Sequence, residues 1–181
     1  YFDFYGGIDF RYYKGLHKNV ITDLFGGQYY VDSYNRKSVL AENSVNGGVT
    51  SWVNQKLGVG DVIRRDYDGF VMYEGGFAQL EYNKDKVSAF VSGALTNTSY
   101  WRKDRFYYSG DKQLSSKKHY LGGNVKAGLN YNLDDYNNVF FNTGFISRAP
   151  IFDNTFINSQ SSHERNPDAK NEKVYSFELG Y

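Results

Sequence analysis

Hydrophobic and polar residues alternate with a period of two along six stretches of this chain. Between residues 121 and 133, for example, Leu121, Val125 and Leu129 share one parity. Asn124 and Asn130 share the other. A period of two predicts β-strands that are apolar on one face. The six predicted strands are Tyr1–Tyr13, Phe70–Tyr82, Val87–Leu95, Leu121–Leu133, Asn138–Ser147 and Glu172–Tyr181.

The length of these strands helps to distinguish a membrane-spanning sheet from a soluble one. They run for about 9–13 residues, whereas the usual strand of a soluble protein has about 5–6. A strand that crosses a membrane at a tilt needs about 9–11 residues. Alternation by itself also fits a soluble sandwich, in which the apolar face turns inward. Strand length favours a membrane barrel, although Phe90 and Phe140 break the alternation by falling on the polar parity.

The connections between the predicted strands alternate between short and long. Asn83–Lys86 and Asp134–Asn137 are compact polar turns. The other connections are long and span Gly15–Asp68, Tyr100–His119 and Arg148–Asn171. Outer-membrane barrels have short periplasmic turns and long extracellular loops, whereas long structureless loops are uncommon in compact soluble domains. The alternation therefore also favours a membrane barrel.

Composition narrows the class further. Aromatic residues make up 19% of the 181 residues, yet the chain is polar on average, with a mean hydropathy of −0.63. This combination is typical of strands with one apolar face. The net charge of +1 gives no case for a nucleic-acid partner, which would leave a basic stripe or patch. The absence of cysteine excludes disulfides, and no apolar run is long enough for a membrane helix.

These observations predict an all-β protein, an antiparallel up-and-down transmembrane β-barrel segment of about six long strands. Aromatic residues near the predicted strand ends, such as Tyr12 and Tyr131, are typical of the girdles at membrane interfaces. We expect residues 1–181 to be one partial barrel. Strand-like alternation already at Tyr1 indicates an internal fragment of a longer protein.

Several segments resemble TonB-dependent outer-membrane receptors. Asn142–Pro150 resembles a family strand that runs into an Arg-Ala-Pro turn, and Asn166–Tyr181 resembles the segment that follows it. Gly76–Tyr82 looks like another recurring barrel strand. Asp9–Gly15, with Leu24–Gly27, looks like receptors of the Bacteroidetes type.

The resemblance implies a 22-stranded barrel that is plugged by an N-terminal domain and located in the Gram-negative outer membrane. Such receptors import a scarce nutrient with energy delivered through TonB. The implied partners are outer-membrane lipid, a small-molecule or oligosaccharide ligand, TonB through the plug region, and a surface lipoprotein. This chain contains neither the plug nor a complete set of strands. Glycan, siderophore, cobalamin and peptide all remain open as the ligand.

Candidate chemistry is sparse. His17, His119 and His163 fall at predicted loop positions without paired spacing, which favours solvated loop histidines over metal ligands. Asp66 and Asp68 faintly resemble a calcium loop but lack its closing acidic residue, so a polar turn is the favoured interpretation. We expect no enzyme activity, no catalytic residues, no metal site and no cofactor.

Aromatic and basic residues in the predicted loops are the candidate ligand contacts. Trp and Tyr pack against sugars or ring systems, and Arg pairs with anions. The alternative is that they fold the loops onto one another or anchor them at the membrane interface. The candidates are Tyr29, Tyr30, Tyr34, Trp52, Trp101, Arg102, Arg105, Tyr107 and Tyr108.

Three other functions compete with active uptake. A passive porin-like barrel would share the strands but have no plug domain. A soluble all-β binding module would need no detergent for extraction. A barrel enzyme is the most distant alternative and would reveal itself by acyl or peptide hydrolysis.

Overall fold

The computed structural model describes residues 1–32 and 55–181, which form one antiparallel sheet. Each strand pairs with the next one along the chain, in the order β1 to β6. The strands are β1 Phe2–Val20, β2 Val62–Lys84, β3 Val87–Asp104, β4 Lys118–Asn132, β5 Asn138–Arg148 and β6 Glu172–Gly180. Short 3-10 turns lie at Gly110–Gln113 and Phe152–Thr155. The predicted all-β, up-and-down arrangement of six strands is confirmed.

The first three strands are longer than predicted. β1 continues from Tyr13 to Val20, β2 begins at Val62 rather than Phe70, and β3 continues from Leu95 to Asp104. In these extensions both faces carry polar residues, so the alternation that identifies a strand fades although backbone pairing continues. The predicted loops Gly15–Asp68 and Tyr100–His119 are accordingly too long.

The two short turns lie where the sequence places them. Asp85 adopts a left-handed φ of 52° between β2 and β3, a conformation that aspartate tolerates better than most residues. Between β4 and β5, the Asp134 carboxylate accepts hydrogen bonds from the backbone N–H groups of Tyr136 and Asn137, at 2.8 and 2.9 Å. Both turns lie at one end of the sheet, which we call the turn end, and the long connections lie at the loop end.

The register gathers the apolar parity of all six strands on one face. Residues directly opposite each other in neighbouring strands share a face. Phe4 pairs with Leu80, which pairs in turn with Val91. The apolar band comprises Phe2, Phe4, Ile8, Phe10, Tyr12, Leu80, Val91, Leu95, Leu121, Val125, Leu129, Phe141, Tyr175, Phe177 and Leu179. These side chains are exposed, with Ile8 93% and Leu179 81% accessible.

The two phenylalanines that break the alternation lie on the opposite, polar face. Phe90 packs over Gly128 of β4, and Phe140 packs over Gly180 of β6. A Cβ atom at either glycine would overlap the ring. The missing side chain thus creates the space that the aromatic ring fills.

Buried residues are concentrated at the loop end. They include Tyr67, Tyr100 and Tyr120 at the ends of three strands, and Phe106 and Phe156 in the connections. Among the described residues the sheet stays open, with β1 and β6 as its edges. Within the same ranges, none of the helical segments has the length and apolar character needed to cross a membrane.

Candidate functional site

The connection between β5 and β6, residues 149–171, folds back over the polar face of the sheet. The Tyr100 hydroxyl donates a hydrogen bond of 2.7 Å to the carbonyl oxygen of Pro150. The Phe152 ring packs edge-on against Tyr100, with a centroid distance of 5.8 Å. The Arg165 guanidinium lies 4.2 Å from the centre of the Phe156 ring and donates to the carbonyl oxygen of Tyr100. The connection therefore covers the loop end of the polar face.

Arg102 anchors this connection from within β3. Its side chain is completely buried and forms an ion pair with Asp104, which is also buried. It donates to the carbonyl oxygens of Asn158 and Ser162 in the β5–β6 connection. Its guanidinium also lies 4.6 Å from the centre of the Tyr67 ring. One side chain thus ties two strands to a loop.

Asp104 organises the neighbouring connection between β3 and β4, residues 105–117. Its Oδ1 accepts hydrogen bonds from the backbone N–H groups of Phe106 and Tyr107, each of 2.8 Å. Both aromatic side chains are buried there, packed against one another and against Val62. The Arg102–Asp104 pair therefore supports both loops at once.

His163 joins the two connections directly. Its ring stacks on Tyr108 at a centroid distance of 3.8 Å, and its Nε2 donates to the carbonyl oxygens of Lys112 and Gln113. Burial, reinforced by the nearby charge of Arg102, lowers the pKa of His163 to about 4 despite the two carbonyl acceptors. The ring is therefore neutral at physiological pH.

Asp66 and Asp68 lie within β2, not in the polar turn that the sequence predicts. The Arg105 guanidinium bridges the two carboxylates, at 2.6 and 2.7 Å, and Lys14 adds a second cation 3.1 Å from Asp68. Arg105 and Lys14 thus neutralise the two carboxylates that a calcium ion would need as ligands. The resemblance to a calcium loop is thus explained by an internal ion-pair cluster.

The proposed ligand contacts occupy varied positions. Trp101 and Arg102 lie in β3, so their predicted loop location is wrong. Arg102 and Tyr107 are buried, Tyr108 is half-buried, and Arg105 is paired with carboxylates. Tyr29 and Tyr30 are 48% and 42% exposed in the connection after β1 and remain candidates for ligand contact. Trp52 and Tyr34 lie outside the described residues. His17 and His119 lie in strands rather than loops.

A recess of about 540 Å³ lies on the polar face beside the start of the β5–β6 connection. The Arg11 guanidinium lies 4.9 Å from the centre of the Tyr73 ring at one wall, and Arg148 lies at another. Both arginines also pair with carboxylates, Asp9 and Glu172. The lining residues that can contact a ligand include Arg11, Tyr13, Tyr73, Thr96, Thr98, Asn124 and Arg148.

The recess offers aromatic faces, hydroxyl and amide groups, and two arginines, which together suit a small polar ligand. Sequence analysis missed it because the candidates were sought in loops. The available signal was the polar parity of the predicted strands, which contains Arg11, Tyr13 and Asn124. That parity does not reveal which residues of different strands meet.

No protein-family model, curated protein or solved structure matches this chain.

Proposed function

We propose that this chain is part of the wall of an outer-membrane β-barrel that belongs to a TonB-dependent nutrient receptor. The observation that carries the proposal is the exposed apolar band. It extends over all six strands, while the polar face carries the recess and the folded connections. A barrel wall has this distribution, with apolar residues facing lipid and polar residues lining the lumen.

The distribution of burial supports a membrane rather than an aqueous environment. In a soluble sandwich the apolar face of the sheet is covered and forms the core. In this chain Ile8, Leu121 and Phe177 are more than 70% exposed, whereas polar residues such as Ser99 and Arg102 are fully buried at the loop end. Exposed apolar patches on soluble monomers rarely exceed a few hundred Å².

The role in nutrient uptake rests on the recess and on the receptor-like motifs. The recess opens on the face that would line the lumen, beneath a connection that would lie at the extracellular side. A ligand held there contacts Arg11, Tyr73 and Arg148. Energy for its release would come through TonB, acting on a plug domain that the described residues do not include.

Membrane topology provides the first test. Asp111 lies in the β3–β4 connection and Asp135 in the β4–β5 turn, and both are exposed. We expect a membrane-impermeant maleimide to label Asp111→Cys in intact cells and Asp135→Cys only after lysis, since this chain contributes no native cysteine. The reverse pattern would overturn the topology, and recovery of the protein in the soluble fraction would overturn the membrane assignment.

Dependence on TonB provides the second test and separates active uptake from a passive channel. Transport of the nutrient should stop in cells that lack TonB. An Arg11→Ala variant that reaches the membrane normally should lose ligand affinity. Uptake that continues without TonB would replace the receptor by a porin-like barrel.

A further inference from the structure

Beyond the apolar band, the loop end of the same face carries an excess of basic side chains. Pairing places Lys18 opposite Asp66 and Lys103 opposite Asp68, so all four lie on this face. The basic rim comprises Lys14, Lys18, Lys103, Arg105 and Lys117. Its five cations against the two carboxylates, Asp66 and Asp68, leave a net charge of +3.

An aromatic layer lies next to the apolar band, level with Lys14 and below Lys18 and Lys103. Phe70 and Trp101 stack nearly in parallel, with a centroid distance of 5.2 Å and an interplanar angle of 3°. Tyr12 lies 6.1 Å from the Trp101 ring. The Lys117 ammonium lies 4.3 Å from the centre of Trp101, and the Lys14 ammonium lies 5.7 Å from the centre of Phe70. Along this face the apolar band is thus followed by the aromatic row, which includes Lys14, and then by the other cations of the rim.

The cations of the rim differ in how they are neutralised. Lys14 and Arg105 pair with Asp66 and Asp68. Lys103 and Lys117 are exposed and form no ion pair within residues 1–32 and 55–181. Trp101 lies between them, since Lys103 follows it by two residues on the same face and Lys117 covers its ring.

The turn end of the sheet lacks this excess. Its last strand residue and turns carry Lys84 and Lys86 together with Asp85, Asp134 and Asp135, two positive and three negative charges with a net charge of −1. Among residues 1–32 and 55–181, an excess of positive charge is therefore found at the loop end and not at the turn end. If these cations served only to keep the protein soluble, we would expect them at both ends of the sheet.

We propose that the basic rim binds the phosphate group of an anionic lipid headgroup, with Lys103 and Lys117 as the principal cations and Trp101 beneath them. The inference rests on the proposed membrane function. Trp prefers the depth of the headgroups, and long basic side chains extend from there toward phosphate and water. Because the rim continues from the lipid-facing band and not from the polar-face recess, a lipid reaches it before a free anion in the lumen does.

The test uses the protein purified from membranes in a neutral detergent, with its complete barrel. Its melting temperature is followed during titration with short-chain phosphatidic acid, phosphatidylcholine of the same chain length, and inorganic phosphate. The test variant is Lys103→Gln/Lys117→Gln. The matched control is Lys112→Gln/Lys170→Gln, which removes the same charge from two exposed connection lysines outside the rim.

Phosphatidic acid should stabilise the wild type and the control, and its affinity for the test variant should be about 30-fold lower, equivalent to about 1 kcal/mol for each lysine. Phosphatidylcholine should have little effect. Equal affinities in the test variant and the wild type would overturn the inference. Equal stabilisation by inorganic phosphate would assign the rim to free phosphate and overturn the lipid assignment. A protein that needs no detergent would overturn the proposed function together with this inference.

Discussion

Arginine and aspartate pair across a spacing of two residues at two places in the sheet, and their surroundings make the two pairs different. In the Arg11–Asp9 pair the arginine side chain is 71% exposed, so water screens its charge. In the Arg102–Asp104 pair the two side chains are 0% and 1% exposed. The first pair is free to rearrange around a ligand in the recess. The second is part of the packed structure that holds the loops.

The buried pair gives a prediction about stability. Arg102→Leu removes one partner and leaves the Asp104 carboxylate buried without its cation, which should lower the free energy of unfolding by about 3–5 kcal/mol. It also removes the donors to Asn158 and Ser162. Urea unfolding of the protein in liposomes measures the loss, and proteolysis of the β5–β6 connection should accelerate.

Arg11→Leu is the matched control for this measurement, because it removes an arginine with the same spacing from its aspartate. Its effect on unfolding should be far smaller, since the pair is exposed. Similar losses in the two variants would mean that burial does not distinguish the pairs. The assignment of Arg102 as the anchor of the loops would then fail.

His163 gives a prediction about pH. Its pKa of about 4 lies below the ordinary value of 6.5, so the unfolded loop binds a proton more readily than the folded one. The contact is fully stable above about pH 6.5 and weakens as the pH falls toward 4, by about 2 kcal/mol at pH 5 and about 3 kcal/mol in total. Hydrogen exchange at residues 162–164, corrected for its intrinsic pH dependence, should accelerate between about pH 7 and pH 5.

His163→Phe provides the control for the pH prediction. The phenyl ring can still stack on Tyr108 but cannot take up a proton. Exchange in this variant should be independent of pH over the same interval after the same correction. If wild type and variant respond equally, another group controls the loop contact.

At the scale of the elements, sequence and structure agree wherever one face of a strand is apolar. β4 and β5 begin and end within a few residues of their predicted bounds. The alternation is missing from the ends of β1, β2 and β3, where residues such as His17 and Tyr67 pair as strand neighbours with polar groups on both faces. Hydrophobic periodicity reports the environment of a strand, and there the environment changes before the strand ends.

The candidate site was less accessible to sequence analysis for a different reason. The recess brings together residues from β1, β2, β3, β4 and β5, and their proximity depends on the register of four strand pairs. A shift of one residue in the register of any pair would move the side chains of the next strand to the opposite face of the sheet. Aromatic and basic residues in loops are visible in a sequence, whereas a cluster assembled across strands is not. Asp66 and Asp68, the ion-pair partners of Arg105, were hidden for the same reason, because they lie in another strand.

The two faces of β4 give a prediction for adjacent residues. Leu129 belongs to the apolar band and is 52% exposed, whereas Asn130 lines an open recess of about 480 Å³ on the polar face. Leu129 lies three residues before β4 ends at the turn, so Leu129→Arg should lower the free energy of folding into liposomes by about 1–2 kcal/mol, less than the about 2–4 kcal/mol expected at the bilayer midplane. Asn130→Arg should cost much less, because the recess is open to water. Equal costs would contradict the assignment of the faces.

At the scale of the whole molecule, exposed and buried residues are distributed in the opposite way to those of a soluble fold. Its apolar residues cover an open face, and its packed interior lies beside polar and charged groups at the loop end. The backbone groups on the outer edges of β1 and β6 have no neighbouring strand within the described residues. In a membrane each unpaired N–H or C=O group costs several kcal/mol, which is why spanning sheets close into barrels. We therefore expect further strands of the same barrel to pair with both edges.

The six strands alone should not be stable in water, where the apolar band is exposed, or in lipid, where the two sheet edges are unpaired. This predicts how the isolated chain behaves. In water the apolar band and the 19-residue edge of β1 would both be open to other copies of the chain. The 181-residue chain, expressed alone and examined by size-exclusion chromatography without detergent, should therefore elute as aggregate. A sharp monomer peak with a cooperative melt would show that the chain buries its apolar face internally. A soluble β-sandwich would then replace the membrane barrel as the proposed fold, and the proposal that the basic rim binds a lipid headgroup would fail with it.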